Sequence, residues 1–105
     1  MGDRPGLTYT SATILQAVIA GYIYGYTVMK ATGLPSGTVY PALRRLEGDQ
    51  LIRSQWERQS VADAVLRPPR RYYKLTRSGE AALEVARQRY PLLAKLVSKE
   101  EVQDV

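Results

Sequence analysis

The stretch Tyr24–Glu47, YGYTVMKATGLPSGTVYPALRRLE, constrains this chain more than any other feature. It holds two short segments with apolar residues at helical spacing, separated by Gly33-Leu34-Pro35. Val28 and Met29 form the inward side of the first, and Val39, Leu43 and Leu46 that of the second. Gly33 supplies the turn, where a positive φ comes easily only to glycine. Ser36 serves as N-cap of the second helix, with Gly37 and Thr38 in its first turn. Pro41 falls near that helix's start, where a missing N–H costs little. An αα-hairpin in a purely structural bundle explains this spacing equally well. It does not explain why the outward side offers Ser36, Thr38, Tyr40, Arg44 and Arg45 around the small Gly37. Hydroxyls and guanidinium groups on a helix that follows a sharp turn suit phosphates and base edges in a major groove.

The flanking segments extend the pattern. Residues 1–9 read as a flexible arm. Thr10 or Ser11 caps a first helix with Leu15, Val18, Ile19 and Tyr22 on one stripe. Leu51 to Arg58 alternates as a strand, and Arg71 to Leu75 is a second strand rich in aromatics. The connection between them contains VADAVL and Pro68-Pro69. Two strands placed directly after a helix-turn-helix describe a wing, with Arg67, Arg70 and Arg71 beside its turn. A solvated edge strand would carry such arginines too. Tyr72 and Tyr73 adjoin in one strand, so one faces in and the other out. Trp56, at the base of the wing, either lines a ligand pocket or, as a large aromatic there more often does, sits in the core; the core is the expectation.

Thr76 caps a fourth helix, and Leu83, Ala86, Tyr90, Leu93 and Val97 step along it as a heptad seam. Pro91 should kink or split that helix near Tyr90. Tyr22 and Tyr90 lie on apolar stripes, either in the core or at an interface. The division read from the sequence is therefore an arm at 1–9, a winged helix-turn-helix at 10–76, a dimerisation helix at 77–98 and a flexible tail at 99–105. The fold class is mostly α with a small β-wing.

Charge locates the same region. Of the 15 Lys and Arg and 10 Asp and Glu, nine basic and four acidic residues lie between Ser36 and Ser78, so that stretch carries the whole net charge of +5. A basic excess confined to one stretch suits a phosphate-facing surface. With no Cys and no His among 105 residues, the usual zinc sites, disulfides and His-based nucleophile activation are excluded. Neither a catalytic constellation nor a cofactor or metal site is read, and an enzyme is not expected. No apolar run is long enough for a membrane span, and the N-terminus lacks a signal-peptide pattern. A cytoplasmic location is expected.

The segments ATILQAVIAGYIYGYTVM, GLPSGTVYPALRRLEGDQLI and RRYYKLTRSGEAAL resemble the PadR family of transcriptional regulators, over roughly Thr13 to Val97. SGTVYPALRRLE and RYYKLTRSG are specific together. The resemblance implies a winged helix-turn-helix dimer that represses transcription, commonly released by a small effector or stress signal. It makes the helix with SGTVYPAL the recognition helix, and Tyr40 and Tyr26 phosphate-contacting candidates. It assigns the dimer interface to the first and last helices, here Leu15, Tyr22, Leu83, Ala86, Tyr90, Leu93 and Val97. The short C-terminal end resembles the short subfamily. The apolar VADAVL stands where the family's wing commonly has Gly.

Together these readings predict a homodimer on double-stranded DNA, with a small-molecule effector between the dimer helices as a further partner. Candidate DNA contacts are Tyr26, Ser36, Gly37, Thr38, Tyr40, Arg44, Arg45, Arg67, Arg70 and Arg71. The alternative is a winged-helix protein-interaction module that does not bind DNA, docking a partner through its apolar wing.

Overall fold

The computed structural model describes residues 6–97; the tail expected at 99–105 and the first five residues of the expected arm lie outside them. Helix α1 (Tyr9–Ile19) lies at the centre, with residues 11–18 all buried. Five elements pack around it: α2 (Gly25–Thr32), α3 (Ser36–Gly48), β2 (Arg71–Leu75), α5 (Arg77–Arg89) and α6 (Leu93–Leu96). The remaining two, β1 (Ile52–Trp56) and α4 (Gln59–Ala64), belong to the wing. Ile14, Leu15 and Ala17 are fully enclosed. Burial of a side chain such as Leu15 contributes roughly 1.5–3 kcal/mol. The polar residues of α1 are satisfied locally: Thr13 donates to the Tyr9 carbonyl at 2.8 Å, and Gln16 accepts from Arg87 Nε at 3.1 Å.

The cap of α1 is Thr8, whose hydroxyl accepts from Ser11 N–H at 3.0 Å, rather than Thr10 or Ser11. Thr10 is instead helical, Leu7 packs against the core, and Ile19 is exposed. Tyr24 caps α2, with the Thr27 hydroxyl accepting its N–H at 3.2 Å. Gly33 ends α2 at φ 76°, donating back to the Met29 carbonyl at 2.8 Å. Pro35, not Ser36, is the N-cap of α3, and its carbonyl accepts from Thr38 and Val39 N–H. Pro41 is the sixth residue of α3, beyond the first turn. It therefore removes the i→i−4 bond to Gly37, and both residues are exposed at that point.

Strands β1 and β2 pair antiparallel, with Ile52 opposite Leu75, Ser54 opposite Tyr73 and Trp56 opposite Arg71. One face of this ribbon begins in the core at Ile52 and Leu75. Two-residue alternation carries that face outward through Ser54 and Tyr73 to Trp56 and Arg71. Ile23-Tyr24 runs along the other edge of β2: Tyr73 N–H donates to the Ile23 carbonyl at 2.8 Å, and Tyr24 bridges Tyr72. Tyr73 is buried and Tyr72 half-buried, as adjacent strand positions require. Burial pushes the Tyr73 phenol up from its ordinary value.

The wing connection is not a bare loop. Part of its apolar segment lies in α4, which buries Ala62 and exposes Val61, and Val65 and Leu66 follow the helix, also exposed. Thr76 caps α5, accepting from Gly79 N–H at 3.0 Å and donating to the Gln50 carbonyl at 2.7 Å.

The last helix breaks at Tyr90, and Pro91 precedes the single turn of α6. Proline cannot continue an α-helical ladder, and α6 packs back on α1. Leu93 and Val97 thus join Leu15, Leu83 and Ala86 in the chain's own core. Within the single chain the side chains of these five residues, expected at a subunit interface, are already covered. Tyr22 and Tyr90 are half-buried against the same core, and Tyr90 meets Tyr9 edge-on at 5.1 Å.

Candidate nucleic-acid interface

Helix α3 turns Val39, Ala42, Leu43 and Leu46 inward. Its outer surface carries Ser36, Gly37, Tyr40, Arg44 and Arg45, while Thr38 is half-buried at its first turn. Tyr40, Arg44 and Glu47 step by four and three residues, so they form one stripe. That stripe faces the wing, lining a cleft of about 280 Å³ with Trp56, Arg71 and Tyr73. Arg45 lies on another side of the helix, beside Asp49 and the N-terminal residues Leu7 and Thr8. The two adjacent arginines therefore serve different surfaces.

Tyr26, on the first turn of α2, is 62% exposed, with the Lys30 ammonium 5.6 Å from its ring centre. Tyr40 lies across the start of α2. A Cβ built on Gly25 would stand 2.7 Å from its Cζ and 2.8 Å from its hydroxyl oxygen. The two helices of the turn motif are thereby fitted to each other through an aromatic ring that remains partly in solvent.

The wing arginines divide three ways. Arg67 is tied to Glu57 by two hydrogen bonds, Nη1 to Oε1 at 2.6 Å and Nη2 to Oε2 at 3.0 Å, while Arg70 N–H donates to the same carboxylate at 3.3 Å. The fork of its guanidinium is thus engaged within the wing. The Arg67 hydrogen bond holds the Glu57 carboxyl below the ordinary carboxylate range, and Glu57 raises Arg67 in turn. Arg70 is exposed, 5.3 Å from the Tyr24 ring centre. Arg71 points to the opposite face, donating through Nη2 to both oxygens of Glu47 at 3.2 and 3.4 Å and lying 5.8 Å from the Trp56 ring centre. Ser54 also donates to Glu47, joining α3 to β1.

Trp56 is 63% exposed, contrary to the core position expected for it. Alternation gave its face correctly. It could not show that the core ends four residues earlier, at Ile52, and that the same face continues beside α3. Opposite-strand pairing with a charged residue, Arg71, is the sequence signal that the position is not enclosed. Glu47 was also missed, because a carboxylate in a basic stretch reads as one more solvated charge.

A short helix, a turn, an outward-facing second helix and an antiparallel wing define a winged helix-turn-helix protein. Residues 14–85 match the model of the transcriptional regulator PadR-like family, and the chain belongs to that family. It is similar to a PadR family transcription regulator from Clostridium difficile R20291, at 29% identity over 85% of this chain and 94% of that one, with a TM-score of 0.69. A transcriptional regulator from Clostridium thermocellum shares 25% identity over 84% of this chain and 85% of that one, with a TM-score of 0.66. A PadR-like transcriptional regulator from Bacillus cereus strain ATCC 14579 shares 26% identity over 81% of this chain and 84% of that one, with a TM-score of 0.63. No curated protein matches the chain. Among the described residues, no helix is long and apolar enough to cross a membrane.

Proposed function

We propose that this PadR-family regulator is a homodimeric repressor that reads an inverted-repeat operator in the cytoplasm. Two copies of α3 would enter successive major grooves about 34 Å apart, with the wings on the flanking backbone. Ser36, Gly37, Thr38 and Tyr40 supply the close approach, and Tyr26, Arg44, Arg45, Arg70 and Arg71 the phosphate contacts. The observation that carries this reading is the shared surface of Tyr40 and Arg44 with Arg71 of the wing. Occupation of a promoter operator then blocks transcription. With the seam residues covered, the exposed Val85 of α5, Leu92 of the turn after it and Leu96 of α6 are the apolar side chains there for a second subunit.

A second reading, a protein-interaction module, has one observation in its favour: the apolar wing tip, where Leu66 is 93% exposed. Gel-shift measurements on promoter fragments across a salt series separate the two. DNA reading requires retarded complexes that weaken steeply with salt. The module requires none.

A further inference from the structure

We infer that Trp56 is a DNA-backbone contact, its indole packing against a deoxyribose of the strand that flanks the groove entered by α3, with Arg71 held beside it for the adjoining phosphate. The inference rests on the DNA-reading function proposed above and extends it to a residue that neither sequence pattern nor family membership singles out.

An indole left 63% exposed is unusual beside a well-formed core. Its surroundings indicate what can cover it. The cleft it shares with Tyr40, Arg44, Glu47, Arg71 and Tyr73 is not an apolar groove that would suit a hydrophobic helix. Two guanidinium groups and two phenol rings stand around one carboxylate. That carboxylate is already engaged, by Arg71 Nη2 and by the Ser54 hydroxyl. What remains is a positive surface with an apolar plate in it. A nucleic-acid backbone has the matching chemistry, with anionic phosphates alternating with apolar sugar faces.

Geometry also favours a strand lying between helix and wing. Trp56 pairs with Arg71 across the ribbon, and the guanidinium lies 5.8 Å from the ring centre. Glu47 takes Nη2 alone; among the described residues Nε and Nη1 of Arg71 have no side-chain partner. Arg71 is therefore oriented by Glu47 and Trp56 while keeping donors for an anion, and Arg44 of α3 stands across the same cleft. Glu47 acts here as a positioning residue, joining the angle of the wing to the recognition helix.

Trp56 is the only tryptophan of the chain, so its emission reports this position alone. The probe is a dye-labelled duplex of about 30 base pairs, recovered by selection on the protein and long enough for two half-sites. Anisotropy of the dye measures binding without reference to the tryptophan. Emission excited beyond the tyrosine absorption edge measures the ring. The expected result is a change in Trp56 emission and loss of acrylamide quenching that saturate together with the anisotropy. Trp56→Ala should bind roughly 5- to 20-fold more weakly, as loss of an aromatic platform does, with an unchanged salt slope because the ring is neutral. Trp56→Phe should recover most of the affinity. Arg71→Ala should lower the slope of log K against log salt by about 1.8, one phosphate contact from each subunit.

Normal binding with unaltered Trp56 emission, or a Trp56→Ala variant that binds like the parent, overturns the assignment and leaves DNA binding intact. An emission change on simple dilution, without DNA, places the ring in a subunit contact and likewise overturns it. No anisotropy change with any selected duplex overturns the DNA-reading function itself, and this contact with it.

Discussion

The Tyr40 ring of the recognition helix lies against Gly25, the first residue of the helix before it, leaving no room for a side chain there. The colliding atoms are the far end of the ring, which can swing aside into solvent. Gly25→Ala should therefore change unfolding stability little, by less than about 1 kcal/mol, helped by alanine's better helix propensity. The same change displaces Tyr40 and should weaken DNA binding roughly tenfold. Urea unfolding and anisotropy titration of one preparation test both halves of this expectation.

Arg44 and Arg45 adjoin in sequence but face different surfaces. Arg44→Ala should reduce the salt slope of DNA binding by about 1.8, the value for one phosphate contact from each of two subunits. Arg45→Ala should reduce it by less. Equal slopes for the two variants would place both side chains on the same phosphate track.

The wing is fastened by the Glu57–Arg67 pair, and its response to acid follows from the lowered carboxyl. A carboxylate with a folded pKa below its unfolded one stabilises at pH above the unfolded value, and that contribution disappears as pH falls through the folded one. The protection factors of the Ala62 and Val65 amides, the observed exchange referred to the intrinsic rate at each pH, should fall as the solution is acidified through and below the carboxylate range. In Glu57→Gln they should already be low at neutral pH and nearly independent of acid. Unchanged protection in that variant would show that α4 holds without the pair.

Leu93 and Leu96 occupy one helical turn but opposite environments, fully buried and half-exposed. Leu93→Ala should cost about 2–5 kcal/mol of unfolding stability as a cavity forms. Leu96→Ala should leave unfolding nearly unchanged and weaken self-association, read by sedimentation over a concentration series. The reverse pattern would return Leu93 to a subunit seam.

Much of this was legible in the sequence for identifiable reasons. Gly33, the inward run Val39, Leu43 and Leu46, and the break at Pro91 are local signals, and each acts through backbone geometry that the residue itself dictates. A heptad pattern places Leu83, Ala86, Leu93 and Val97 on one face, but it does not say what covers that face. Here α1 covers it. The exposure of Trp56 and the partner of Arg67 escaped the sequence for a related reason. Strand alternation does not reveal where the core ends, and ten residues of chain separate Arg67 from the carboxylate that engages it. Only the first four residues of VADAVL join the wing helix α4, which ends at Ala64, and only Ala62 finds cover.

The central proposal, that paired recognition helices read an inverted repeat through the α3 and wing surface, meets its most direct test in selection of bound sites from random duplex DNA. The selected pool should converge on two inverted half-sites with centres about 10 base pairs apart, one helical turn, bound with an affinity that falls steeply with salt. Failure to enrich any sequence, with no salt-dependent retention of duplex DNA, would contradict it.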